Sequence, residues 1–262
     1  MSRCASALTA LILTFVLALS GAGSAHAAGP SYVALGDSYS SGVGAGSYDK
    51  ASGDCERSTK AYPALWAAAH APSSFAFTAC SGAKTGDVIS SQLGPVNSST
   101  GLISITVGGN DIGFADVMTT CALASTDSCV NRVTQARTSI NSTLPGLLDR
   151  AYNAIRAKGP RAHVVVLGYP RFYKVPGNCL LGLSDTARRA INAAADDLDT
   201  ALSKRAADHG FTFVDVRTAF TGHELCSGSA WLHSVKLPIG ESYHPTATGQ
   251  SHGYLPPFSA VA

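Results

Sequence analysis

The sequence predicts an α/β domain built on a mainly parallel, five-stranded sheet, and three observations predict it. Five short apolar runs, rich in β-branched or aromatic residues, punctuate the chain, each ended by Gly, Cys or Asp. Helical spacing of apolar residues fills several of the gaps between them, and the runs are near-continuously apolar, as strands covered on both faces are. A 262-residue chain that is 45% hydrophobic and 14% charged supplies a sizeable core and excludes disorder. That length fits one domain and leaves little room for a second.

The first strand is Tyr32–Leu35, which breaks at Gly36-Asp37-Ser38 and passes into a Ser- and Gly-rich loop. A short helix is expected from about Thr59 to His70, then strands over Phe75–Thr78 and Leu102–Val107. From Val130 to Ala157 helical spacing recurs through Ile140, Leu144, Leu147, Leu148, Tyr152 and Ile155, and Pro145 is expected to divide or kink that region. The fourth strand is His163–Leu167. The clearest helix follows, with Ser184 as N-cap, an apolar face of Ala187, Ile191, Ala194, Ala195, Leu198, Ala201 and Leu202, and Gly210 as the stop. Phe211–Val216 makes the fifth strand. In such sheets ligands bind outside the carboxyl ends of the strands, which is where Ser38 falls.

Residues 1–27 read as a secretory signal peptide: Arg3, an apolar stretch from Leu8 to Leu19, and an A-x-A cleavage pattern at Ala25-His26-Ala27. The stretch is shorter than the ~20 residues a membrane span needs, and Cys4 precedes it, where a lipid-attachment cysteine follows. The remaining residues, 28–262, are read as a single exported domain, without stable membrane insertion. A formal net charge of +2 without clustered Lys or Arg excludes a nucleic-acid surface. Outside the leader stand Cys55, Cys80, Cys121, Cys129, Cys179 and Cys226. An even count in an exported chain predicts three disulfides, with fifteen pairings open. A zinc site is disfavoured, because no C-x-x-C occurs and His223-Glu224 lacks a second His four residues on. The Gly42–Gly46 run lacks the spacing of a dinucleotide loop.

Four short stretches at or beyond strand ends carry candidate chemistry: Ser38 after the first strand, Gly82 in TACSGAKT after the second, Asn110 in TVGGNDIGF after the third, and His244 in ESYHPTATGQ near the C-terminus. A serine hydroxyl needs a neighbouring base to become a nucleophile, and a neutral imidazole is that base near pH 7. Charge developing on a carbonyl oxygen needs fixed donors. The backbone N–H groups of Ser38 and Gly82 and the side-chain amide of Asn110 suit that role, and glycine at position 82 admits close backbone approach.

The set Gly36-Asp37-Ser38, Gly82, Gly108-Gly109-Asn110-Asp111 and His244-Pro245, in this order and at these separations, resembles the GDSL or SGNH hydrolase superfamily. It looks most like the secreted, Streptomyces-type lipases, phospholipases and esterases of actinobacteria, over Tyr32 to about Gly249. The resemblance implies a flavodoxin-like three-layer α/β/α sandwich, Ser38 as nucleophile, His244 as base, and Ser38, Gly82 and Asn110 as oxyanion hole. It implies ester hydrolysis through an acyl-enzyme with no metal or cofactor, and disulfides closed in sequence order: Cys55–Cys80, Cys121–Cys129 and Cys179–Cys226. The family often has Asp three residues before the base, where this chain has Glu241. Some relatives use a backbone carbonyl instead, here that of Ser242, and this alternative is preferred to Glu241 because a carbonyl also holds the Nδ1 proton.

The expected partner is a lipid or small ester, acted on by a monomer. Phospholipase A1-type cleavage of glycerophospholipids is the nearer alternative, and a non-catalytic secreted binding protein on the same fold the more distant one. No long apolar lid segment is evident, so little interfacial activation is expected. Phe114, Tyr169, Phe172, Tyr173 and Trp231 are candidates for an acyl site or for core. Asp37 and Asp111 are read as turn-forming, and the remaining histidines as solvated or capping.

Overall fold

A computed structural model describes residues 29–179 and 182–262; the expected leader lies outside them. Five strands form one sheet: β1 (Gly29–Gly36), β2 (Pro72–Phe77), β3 (Leu102–Thr106), β4 (His163–Leu167) and β5 (Thr212–Val214). Their order is β2-β1-β3-β4-β5, and every pairing is parallel. β2 starts three residues earlier than the apolar run suggests, because Pro72 to Ser74 extend pairing along the edge of β1. β5 is shorter, since pairing with β4 covers only Thr212 to Val214.

Helices cover both faces, as α1 (Ser38–Ser41), α2 (Tyr62–His70), α3 (Thr85–Asp87), α4 (Phe114–Leu123), α5 (Thr126–Ser142), α6 (Leu144–Lys158), α7 (Asp185–Asp208) and α8 (Leu255–Ser259). Right-handed crossovers dictate the layers. The β1-to-β2 step runs one way along the sheet and puts α2 on one face, where α8 joins it. The steps from β3 to β4 and β5 run the other way and put α4 to α7 on the opposite face, giving the three-layer α/β/α sandwich. Pro145 divides the helical region rather than kinking it: it sits in the first turn of α6, where its missing N–H costs no bond. α7 follows its expected pattern, with Ser184 capping the N–H of Ala187 and Gly210 at φ 65° just past the end. α4 has no sequence signal of the usual kind, since Gly113 precedes it without a side-chain cap.

The order of strands along the sheet reverses its advance between β1 and β3, so their carboxyl ends open a crevice at the switch point. The disulfides are Cys55–Cys80, Cys121–Cys129 and Cys179–Cys226, the pairing that the resemblance implies. Cys55–Cys80 ties the loop after β2 to the loop before α2, reinforced by the Ser81 N–H on the Cys55 carbonyl at 3.1 Å. That clamp holds Gly82 at the crevice.

Candidate active site

Ser38 is delivered by an abrupt end to β1. Gly36 has φ 121°, and a Cβ there would stand 2.3 Å from the Thr106 carbonyl oxygen, so only glycine lets β1 pass β3 this closely. Asp37 then caps α1, accepting from the Tyr39 N–H at 3.0 Å, and Ser38 becomes the first helical residue. Asp37 also accepts from Thr106 Oγ1 at 2.6 Å and from the Tyr169 hydroxyl. Burial pushes its carboxyl up to about 6, against the opposing pull of these donors. Its place is structural, as expected of a turn residue: it fixes the chain that carries the serine.

His244 Nε2 lies 2.7 Å from Ser38 Oγ, and His244 Nδ1 lies 3.1 Å from the Ser242 carbonyl oxygen. A carbonyl only accepts, so Nδ1 carries the proton and Nε2 presents its lone pair to the serine hydroxyl. Glu241 is engaged elsewhere, accepting from the Tyr48 hydroxyl at 2.7 Å and from Lys236 Nζ at 2.5 Å. Lys236 holds the Glu241 carboxyl below its usual range. Of the two orienting groups considered from sequence, the backbone carbonyl is therefore the one at the ring. The turn needs Tyr243 at φ 66°, a conformation uncommon without glycine, and its carbonyl accepts from the Tyr39 hydroxyl at 2.8 Å.

The half-buried His244 imidazole has its pKa pushed down to about 4, chiefly by desolvation, with the carbonyls of Ser242 and Gly240 pulling the other way. The role of base expected of His244 requires a neutral ring, so activity is expected to be lost as the pH falls through that value. On a soluble ester, kcat/KM is expected to stay level through neutral pH and to fall tenfold per unit below about 4. A midpoint at the ordinary 6.5 would contradict this environment for the base.

Gly82 and Asn110 reach the same place from neighbouring strand ends. Gly82 adopts φ 77°, which turns the loop after β2 back toward Ser38. Asn110 Nδ2 donates to the Ala83 carbonyl at 3.0 Å, leaving its second N–H for another acceptor. Asp111 accepts from Thr85 Oγ1 at 2.7 Å and the Thr85 N–H at 3.1 Å, so these two loops are stitched together at Asn110 and at the residue after it. Ser38, Gly82, Asn110, Ser242 and His244 all line one cavity of about 400 Å³. Beside it, a narrow apolar cavity of about 40 Å³ runs from Ser38 and Asn110 past Phe114, Met118, Phe172 and Leu198.

Among the aromatic candidates, Phe114, Tyr169 and Phe172 line that narrow cavity. Tyr173 faces a separate cavity, and Trp231 stacks on His223. The other described histidines hold structural bonds; the ring of His233, for example, is 2.8 Å from the Gly44 carbonyl oxygen. The polar residues that brace the site carry no signature in the sequence. Gln250 accepts from the Tyr62 N–H at 2.9 Å and donates to the Tyr39 carbonyl at 3.0 Å, locking α1 to the C-terminal segment. Gln92 exchanges two bonds with the backbone of Gly36, at 2.7 and 2.8 Å.

Residues 34–252 match the GDSL-like Lipase/Acylhydrolase family. The chain is 65% identical over 260 residues to Lipase 1 of Streptomyces coelicolor, covering 97% of each chain. Among solved structures, it resembles phospholipase A1 from Streptomyces albidoflavus NA297, with 64% identity, a TM-score of 0.88 and coverage of 90% of this chain and 100% of that one. It is equally similar to the extracellular lipase from Streptomyces rimosus, with 64% identity, a TM-score of 0.88 and coverage of 89% and 100%.

Proposed function

The chain belongs to the GDSL-like lipase/acylhydrolase family and is a carboxylic ester hydrolase, and from that premise we propose that it cleaves lipid esters by transferring their acyl group to Ser38. The observation that carries this reading is the 2.7 Å approach of His244 Nε2 to Ser38 Oγ beside the Asn110 amide. Ser38 Oγ attacks the ester carbonyl as its proton passes to Nε2. The oxyanion of the tetrahedral intermediate is received by the N–H groups of Ser38 and Gly82 and the free Nδ2–H of Asn110. His244 returns the proton to the leaving alcohol, and water, activated by the same nitrogen, releases the acid. The Ser242 carbonyl keeps the ring in the required tautomer without a full negative charge. Each step uses groups of the chain itself and water.

The narrow cavity beside Ser38 is lined almost wholly by apolar side chains, which favours substrates with an apolar acyl chain. Glycerophospholipids are included in the proposed range, supported by the 64% identity to a phospholipase A1. Export as a monomer without stable membrane insertion completes the proposal, with residues 28–262 acting as one domain. Among the described residues no helix is long and apolar enough to cross a membrane, and the Streptomyces rimosus relative is described as extracellular.

Initial rates on p-nitrophenyl esters of increasing chain length, phosphatidylcholine and triolein test this reading, with turnover of at least one lipid ester expected. On the ester turned over fastest, Asn110→Ala should lower kcat by about 10²- to 10³-fold with little change in KM, the pattern of a donor engaged only in the transition state. A variant with wild-type kcat would remove Asn110 from the oxyanion hole.

A further inference from the structure

The cavity that holds Ser38 and His244 opens between two exposed segments, 122–128 at the end of α4 and 234–240 just ahead of the His244 turn. Leu123 is 83% exposed, Leu237 85%, Ile239 66% and Val235 55%. Other large apolar side chains that stand out, Phe75, Ile89 and Val261, reach only 37% to 39%. Single exposed apolar residues are ordinary, whereas a cluster at the mouth of a cleft marks a contact surface. Leu123, Val235 and Ile239 themselves form the lip of the cavity.

The segment 234–240 is braced onto the turn that carries His244. Lys236 pairs with Glu241, the Lys236 N–H donates to Ser242 Oγ at 3.0 Å, and Ser242 Oγ donates to the Lys236 carbonyl at 3.3 Å. The N–H groups of Glu241 and Ser242 donate to Pro238 and Ile239 at 3.1 and 3.0 Å. Here lies a use for Glu241: it holds the apolar loop out and neutralises the one cation within it. Across both segments the only other charged residue is Asp127.

We propose that Leu123, Val235, Leu237 and Ile239 form a fixed docking rim that seats the cleft on a neutral or zwitterionic lipid surface. Near-absence of charge selects such a surface over a polyelectrolyte or a strongly anionic one. Continuity with the cleft selects lipid over a protein, because a second copy on this rim would cover the mouth, whereas a lipid surface supplies the ester. The inference rests on the ester-hydrolase reading above and adds to it how aggregated substrate is reached: by adsorption on a preformed rim.

Leu237 stands outside the cavity, so its replacement separates docking from chemistry. In a Ser38→Ala background, Leu237→Ser should weaken cosedimentation with phosphatidylcholine vesicles by about tenfold, as expected for one leucine withdrawn from an apolar contact. Leu237→Trp should keep or strengthen it, since indole favours the lipid interface. With Ser38 intact, Leu237→Ser should raise the lipid concentration for half-maximal hydrolysis, leaving the saturated rate and kcat/KM on p-nitrophenyl acetate unchanged. Wild-type vesicle binding that Leu237→Ser leaves intact would overturn the inference, as would a solution dimer that Leu237→Ser dissolves. Activity on soluble esters without vesicle adsorption would sink docking alone; inactivity on every ester would sink the hydrolase reading beneath it.

Discussion

Ser38→Ala is expected to abolish ester hydrolysis, with a loss of about six orders of magnitude in kcat, while the protein stays folded. The magnitude follows from removing the nucleophile of a unit whose members act together. Folding should survive because Ser38 Oγ makes its hydrogen bond to His244 Nε2 at the cavity, whereas its backbone carbonyl, kept in the variant, accepts the N–H groups of Gly42 and Val43. One lost hydrogen bond of this kind costs about 1 kcal/mol of stability. Far-UV spectra and melting temperature close to wild type, with turnover at background, are the expected result. A folded variant retaining more than a few per cent of wild-type turnover on any ester would end the assignment of Ser38.

The second large effect separates the base from its neighbours. His244→Ala should fall nearly as far as the serine variant, because no other described group lies within reach of Ser38 Oγ to accept its proton. Glu241→Ala should keep most of the soluble-ester activity, since the acceptor of the Nδ1 proton is the Ser242 backbone carbonyl, which no side-chain change removes. Losing an orienting carboxylate costs about 10⁴-fold in turnover, so the two outcomes are far apart. The Glu241 variant instead loses its bonds to Lys236 and Tyr48, and its defect should appear in adsorption to lipid. A soluble-ester rate near the His244→Ala floor, in folded protein, would make Glu241 the orienting acid after all.

What the sequence reveals of this site is what is local. Ser38, Gly82, Asn110 and His244 each sit in a short motif at or beyond a strand end, and parallel topology gathers those ends at one crevice. The disulfide pairing is legible only through the family resemblance, since spacing leaves it open. The braces are long-range and silent. Tyr169 reaches Asp37 across 132 positions, and Gln250 reaches Tyr39 across 211, with no periodicity to announce either. Whether Glu241 or Ser242 faces the base depends on a turn with Tyr243 at φ 66°, a conformation that no residue type in it signals. The apolar rim is invisible for the opposite reason: leucine, valine and isoleucine read as core until the fold leaves them outside.

In the proposed mechanism Ser38 Oγ carries the acyl group in a covalent intermediate. A p-nitrophenyl alkylphosphonate tests it most directly, because phosphorus takes the place of the ester carbon and traps the serine as a stable adduct. Intact-mass measurement should show one phosphonyl group per chain, appearing in step with loss of activity, and peptide mapping should place it on Ser38. His244→Ala should slow its formation severely, since the same base activates the hydroxyl. Full loss of activity with Ser38 unmodified, or with the phosphonyl group on another residue, would contradict the mechanism.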